Sequence, residues 1–209
     1  MTESAGATLG GGAGQEGADS PAWLYLASGS QRRREILERL GVSFRVHVPD
    51  VNEVEYETDP AETVRFNALI KLRAARHAHA DVPIIAADTV LEFDGRCIGK
   101  PTSMHAARVL LRSLSGRTHR VLTGVAFWAG GDQVDPVVSV GASTVRFRVL
   151  RDEDISAYFR IVNPLDKAGG YDIDQSGDTI IASVDGSRTN VMGLPLEVVE
   201  PWLNQQGLL

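Results

Sequence analysis

The chain has 209 residues, 43% of them hydrophobic and 23% charged, with a formal net charge of −6. A chain of this size and mix can bury a real core as one soluble domain, and its acidic balance excludes broad nucleic-acid binding through a basic face. With one cysteine, Cys97, no intrachain disulfide can form.

Residues 1–21, MTESAGATLGGGAGQEGADSP, carry almost no large apolar groups and are expected to be a disordered tail. Residues 22–209 are expected to form a single domain. The tail holds a formal dinucleotide fingerprint, Gly12-Ala13-Gly14-Gln15-Glu16-Gly17. It lacks the preceding strand and the opening helix that the fingerprint needs, so the match is chance. Residues 23–27 read as a strand and 31–40 as a helix, with Ile36, Leu37 and Leu40 facing inward, Ser30 as N-cap and Gly41 as the stop. Residues 43–48 suggest a second strand, followed by the acidic loop PDVNEVEYETDP. Helical spacing returns over 61–80, with Asp59 as cap and Pro60 in the first turn. VPIIAADTVLEF suits a buried strand, and Asp94-Gly95 is a hairpin turn signal. A helix over 103–115 and a strand from Arg120 to Trp128 follow. Gly130-Gly131-Asp132 turns the chain into a strand over about 134–149. A short helix is expected over 152–160, a glycine-rich approach at KAGGYDI, a strand at TIIASVDG, and a closing helix, LPLEVVEPWL, that Pro201 interrupts. Strands mixed with helices and hairpins predict an α/β fold with a mixed twisted sheet.

The stretch LYLASGSQRRREILERLG joins a strand, a small-residue turn and a helix start. That geometry aims free N–H groups and the helix dipole at one point, a natural anion site. Arg32, Arg33 and Arg34 add forked donors suited to phosphate, although cations at a helix N-terminus cost stability. Net charge does not forbid such a site, because a cleft focuses the charges around it. Asp88 follows an apolar run and needs a lysine, an arginine or a metal as partner, unless it serves as a turn aspartate. GRCIGKP, with Lys100, is one residue short of a phosphate loop and has Pro101 where Ser or Thr is required. Lys167 stands beside two glycines and an aromatic in DKAGGY, which suits a close backbone approach to a ligand. His77 and His79, two apart on a helix, do not share a face for joint ligation. Ser28 and Ser30 lack a nucleophile-elbow frame. Basic and acidic groups on separate loops are what a nucleotide-phosphate site with a divalent ion requires.

LASGSQRRREILERLG, VNEVE, AADTV, IGKP, LSGRTHRVLTGVAF, DKAGGYDI and NVMGLPLEVV occur in this order. The set resembles the Maf family of nucleoside triphosphate pyrophosphatases from about Trp23 to the C-terminus. The resemblance implies a Maf/Ham1-like, ITPase-like α/β fold with two lobes around a central cleft. It implies hydrolysis of a nucleoside triphosphate to the monophosphate and pyrophosphate, a divalent cation (Mg²⁺ or Mn²⁺), a cytoplasmic location and often a homodimer. By motif, Asp88 matches the catalytic carboxylate, as base or as metal ligand, and Glu53 the acidic residue that helps with metal or water. Ser28, Arg33, Lys71, Lys100 and Lys167 fall where polar and basic groups face the triphosphate. Arg32, Thr89 and Asp174 fall at positions tied to base choice, and Arg32 and Thr89 resemble the dTTP/UTP branch. Gln31 replaces the usual proline at the helix start. Asp174 replaces a glutamine, and an ionised aspartate only accepts, so the expected base preference is broader than, or shifted from, strict dTTP/UTP, with dTTP and UTP still the leading expectation from Arg32 and Thr89. The alternatives are a nucleotide-sensing regulator without turnover, a Maf-type enzyme for another base such as CTP or an m7GTP-like nucleotide, and a Ham1-type purine enzyme. Neither a nucleic-acid polymer nor a membrane is an expected partner: no apolar run approaches the about 20 residues of a span, and no secretory leader opens the chain.

Overall fold

The computed structural model describes residues 23–54, 59–131 and 135–209. The expected tail, its fingerprint match, Asp132 of the glycine turn and position 134 lie outside the described residues. In chain order the elements are β1 (Leu24–Ala27), α1 (Gln31–Arg39), β2 (Phe44–Val46), α2 (Pro60–Ala78), β3 (Ile84–Phe93), β4 (Arg96–Ile98), α3 (Met104–Leu114), β5 (Thr118–Trp128), β6 (Val137–Phe147), α4 (Asp152–Tyr158), α5 (Gly177–Ile180), β7 (Ile181–Asp185), α6 (Arg188–Met192) and α7 (Leu196–Gln205).

They build a seven-stranded mixed sheet in the order β2-β1-β3-β5-β6-β7, with β4 paired to β3. β1 is parallel to β2 and β3, while β3, β5, β6 and β7 pair antiparallel in turn. The β3–β4 hairpin closes through Asp94 and Gly95 at φ 51° and 73°, the left-handed pair that a tight two-residue turn demands.

The period of two along β3 places the site. Ile84 and Ala86 join Ala68, Leu72 and Ala75 of α2 in one core, and Val90 joins Val64 and Leu122 in another. Ile85, Ala87, Leu91 and Phe93 face the opposite, larger core with Ile36 and Leu37 of α1, Leu111 of α3 and Leu203 of α7. Asp88 therefore falls on the α2 side and Thr89 on the other. The buried stripe of α2 is Val64, Asn67, Ala68, Lys71, Leu72 and Ala75. Asn67 and Lys71, four apart, share the helix face that meets Asp88. α2 starts as expected: Asp59 accepts from the Glu62 N–H, and Pro60 occupies the first turn.

Two expectations change. Ser30 is the N-cap of α1, but its side chain makes no capping bond; its N–H donates to Ser28 Oγ instead. Pro201 lies inside α7 without ending it, at the cost of the bond its missing N–H would have made. α6 had no periodic apolar stripe long enough to announce it. The segment 171–176 contains no strand, and it ends at Ser176 in the left-handed region, φ 54°.

α2 approaches the sheet closely over β5. Gly124 pairs with Asp88 across the β3–β5 ladder, and a Cβ there would lie 2.4 Å from the Val64 carbonyl oxygen. The obstacle is backbone, so Gly124→Ala must push α2 away from β3. We expect a loss of about 1–3 kcal/mol by thermal or denaturant unfolding. Turnover should fall more than stability alone explains, because α2 carries Asn67 and Lys71. Unchanged melting and unchanged turnover would show that the helix yields freely.

Candidate functional site

The buried Asp88 carboxylate is held on both oxygens. Lys71 Nζ donates to Oδ1 at 2.8 Å and Asn67 Nδ2 to Oδ2 at 3.0 Å. Lys71 Nζ also lies 3.1 Å from Glu53 Oε2, so the two carboxylates converge on one ammonium. Asn67 does more than contact Asp88: its amide accepts from the Val54 N–H at 2.9 Å and donates to the Val54 carbonyl at 2.8 Å. One side chain thus clips the acidic loop carrying Glu53 against the strand carrying Asp88. Asn67 was missed from the sequence, though its spacing from Lys71 on one helix face was a readable signal.

Burial pushes the Asp88 carboxyl up, but the Lys71 charge, the hydrogen bonds from Lys71 and Asn67, and the Arg33 charge together hold it below the ordinary 3.8. Asp88 is therefore ionised at neutral pH and weakly basic.

The three arginines of α1 have different fates. Arg33 is buried and committed: it donates to Gly193 O at 2.8 Å, Ser28 Oγ at 2.8 Å and Thr89 Oγ1 at 3.0 Å. Burial, opposed by Asp88, lowers it to about 10, so it remains charged at neutral pH. A guanidinium has five N–H donors; three of those on Arg33 are used by described residues, and two have no partner among the described residues. Arg34 keeps a buried Nε without a partner among the described residues. Arg32 lines a narrow slot with Thr89, Leu91, Val121, Ala168, Tyr171, Ile173 and Val191. The slot measures about 10 Å³, room for about one water, so admitting a base requires its walls to part. Thr89 lines the slot and accepts from Arg33 on the face of β3 opposite Asp88.

Two groups thus form: Lys71, Glu53 and Asp88 on the α2 side, and Ser28, Arg33 and Thr89 on the other, with Arg32 lining the slot beside Thr89 and the Arg33 charge reaching Asp88. Three expected residues do not join them in direct contact. Lys100 is exposed on the loop after β4, one residue from Gly99, whose carbonyl accepts from Gly169 at 3.0 Å. Lys167 is buried but donates to Asp166 Oδ1 at 2.7 Å and Asn163 O at 3.3 Å. Asp174 faces Arg39 at 3.6 Å and Arg188 at 3.8 Å, and it lines a separate, open depression of about 440 Å³ with Arg148, Asp178 and Ser183. The segment is not a strand, and the bends at 173–176 do not hold residue 174 on the face that lines the slot. His77 is exposed, and His79 meets not His77 but His47, ring nitrogens 3.3 Å apart.

Two converging carboxylates fit a hard divalent cation, which takes one or two carboxylates and completes its shell with water and phosphate oxygens. Among the described residues, no cluster of three or more His, Cys, Asp or Glu forms an all-protein cage. Beside the cluster, α1 presents its N-terminus with no side-chain cap and no acidic residue in its first turn, so its leading N–H groups can bind an anion.

The family model described as Maf-like protein matches residues 23–206. The chain belongs to the Maf family. A dTTP/UTP pyrophosphatase of Symbiobacterium thermophilum is 41% identical over 88% of this chain and 94% of its own length. A dTTP/UTP pyrophosphatase of Moorella thermoacetica is 42% identical over 86% and 93%. Among solved structures, a HAM1 protein from Coxiella burnetii matches in fold with a TM-score of 0.50 at 18% identity, over 88% of this chain and 99% of that one. The mixed sheet and flanking helices are thus a Ham1-like architecture. Among the described residues, no helix is long and apolar enough to cross a membrane.

Proposed function

We propose that this Maf protein hydrolyses a nucleoside triphosphate between the α and β phosphates, giving the monophosphate and pyrophosphate, with dTTP and UTP as leading substrates. The observation that carries the reading is the Asp88–Lys71–Glu53 cluster, clipped together by Asn67 beside the open N-terminus of α1. The names of the Maf relatives above support the substrate class, and Arg32 and Thr89 in the slot support the pyrimidine choice.

In this reading the first-turn N–H groups of α1 and the two spare donors of Arg33 bind phosphate oxygens. Lys71 offsets the charge that builds as pyrophosphate leaves. Glu53 and Asp88 would hold a divalent cation, Mg²⁺ or Mn²⁺. Such an ion lowers the pKa of bound water and screens phosphate charge. Asp88, with its pKa held down, orients water or accepts a proton only weakly by itself. Arg32 and Thr89 face the base. The setting is cytoplasmic.

A nucleotide sensor without turnover is the rival. Two carboxylates beside a polyanion repel it unless a cation intervenes, and simple binding gains nothing from them. The test is pyrophosphate release from dTTP, UTP, CTP and GTP with MgCl2 or MnCl2, and with chelator. We expect release that the chelator abolishes, with the highest kcat/KM for dTTP or UTP. Tight binding without release from any of the four would favour the sensor.

A further inference from the structure

Asp172 is the buried carboxylate of the glycine-rich segment, and no role has yet been assigned to it. Its side chain is 2% exposed, yet it is firmly placed. Oδ1 accepts from the N–H of Asp174 at 2.9 Å and of Gln175 at 3.4 Å. Its own N–H donates to the Tyr158 hydroxyl at 2.7 Å, which in turn donates to its carbonyl at 2.9 Å. All of this fixes Oδ1 and the backbone and leaves Oδ2 for something else. Oδ2 lies 3.9 Å from both Arg32 Nη1 and Lys167 Nζ. That is too long for a hydrogen bond, but with Asp172 buried and Arg32 only 21% exposed the charge attraction is screened less than at the open surface. Lys167 has other partners. Arg32 donates no hydrogen bond to a described residue, and Asp172 is the one described carboxylate within ion-pair reach of it.

We propose that Asp172 is a positioning residue: its fixed, buried Oδ2 aims the Arg32 guanidinium at the slot, so that base discrimination by Arg32 depends on the Asp172 charge. Asp172 itself does not line the slot, although its neighbours Tyr171 and Ile173 do. It stands behind Arg32 rather than against the ligand. A long arginine without hydrogen bonds would otherwise sample many rotamers, and each must be given up on binding. The proposal rests on the reading of Arg32 and the slot as the base end of a nucleotide site. It transfers the control of base choice in this segment from Asp174, which faces away, to Asp172.

The experiment is a double-mutant cycle with Arg32→Ala, Asp172→Asn and the double variant. Asparagine keeps an oxygen for the two backbone N–H groups and removes only the charge. Should it fail to fold, Asp172→Ser takes its place, because a serine hydroxyl also accepts from the N–H two residues on. Kinetics are read as kcat and KM across dTTP, UTP, CTP and GTP, and calorimetric Kd values are read with MgCl2 for the α,β-methylene analogues of the same nucleotides, which cannot be cleaved between the α and β phosphates. Asp172→Asn should raise KM and Kd for the preferred base about threefold or more and flatten the ratios among bases, with kcat nearly unchanged. In the Arg32→Ala background the same change should have little effect on the ratios. Equal, additive effects in both backgrounds, or unaltered ratios in Asp172→Asn, would overturn the proposal. Wild-type protein that binds nucleotides but releases no pyrophosphate sinks the enzyme reading alone, and the Kd cycle still decides on Asp172. Wild-type protein that binds none of the four overturns both.

Discussion

Asp88→Asn should give a folded protein with about a hundredth to a ten-thousandth of wild-type turnover, the usual effect of losing a catalytic carboxylate. The fold should survive because the substitution is nearly isosteric and leaves hydrogen bonds available. The asparagine oxygen can still accept from Lys71 or Asn67, and Lys71 keeps Glu53 at 3.1 Å. The chemistry should not survive. Asparagine can neither take a proton nor help hold a cation, and the point where two carboxylates converged keeps one. Melting within a few degrees of wild type together with a rate below about a hundredth would support the assignment. A purified variant retaining more than about a tenth of the wild-type rate would remove Asp88 from the chemistry.

Lys71→Met should have the largest effect on stability. Lys71 and Asp88 are 10% and 9% exposed and 2.8 Å apart. Removing one partner of a buried pair leaves an uncompensated charge and costs about 3–5 kcal/mol. Asn67 and the nearby Arg33 remain, which favours the lower end. The pH dependence is the sharper readout. In the wild type, the Asp88 pKa is held below its ordinary 3.8. Its contribution is therefore present above about pH 4 and is lost as pH falls through the lower, folded-state value. Without Lys71, burial, the largest single influence, is opposed only by the Asn67 hydrogen bond and the Arg33 charge, and we expect the folded-state pKa to rise above the unfolded one. The sign then reverses, and stability falls as pH rises from about 4 toward the raised value. The destabilisation caused by Lys71→Met should thus be greater at pH 7 than at pH 4.5, measured by denaturant unfolding at both. An equal loss at the two values would mean that Asp88 does not feel the missing charge.

Much of this site was legible because it is built from regular periods. An apolar run with one aspartate declared a buried strand with a partnered carboxylate, and the period of two fixed the side it faces. The resemblance placed Lys71 on the preceding helix, and Asn67, four residues before it, shares the face that meets Asp88. The rest turns on irregular backbone. KAGGYDID carries two aspartates two residues apart, and a strand would have put both on one face. Bends separate them instead: Asp172 turns inward toward Arg32 and Lys167, and Asp174 outward toward Arg39 and Arg188. Nothing in the residue types announces that division. Similarly, three consecutive arginines read as one phosphate grip. The helix spreads them by about 100° each, and only the packing shows that Arg33 is the buried hub, with Arg32 at the slot.

The central claim is cleavage between the α and β phosphates at the Asp88 cluster. Its most direct measurement is product identification by phosphorus NMR during hydrolysis of dTTP with Mg²⁺, for wild type and Asp88→Asn side by side. The account predicts equal amounts of dTMP and pyrophosphate from the wild type, with no orthophosphate, and almost none of either product from the variant. Formation of dTDP and orthophosphate, or equal rates from the two proteins, would contradict it.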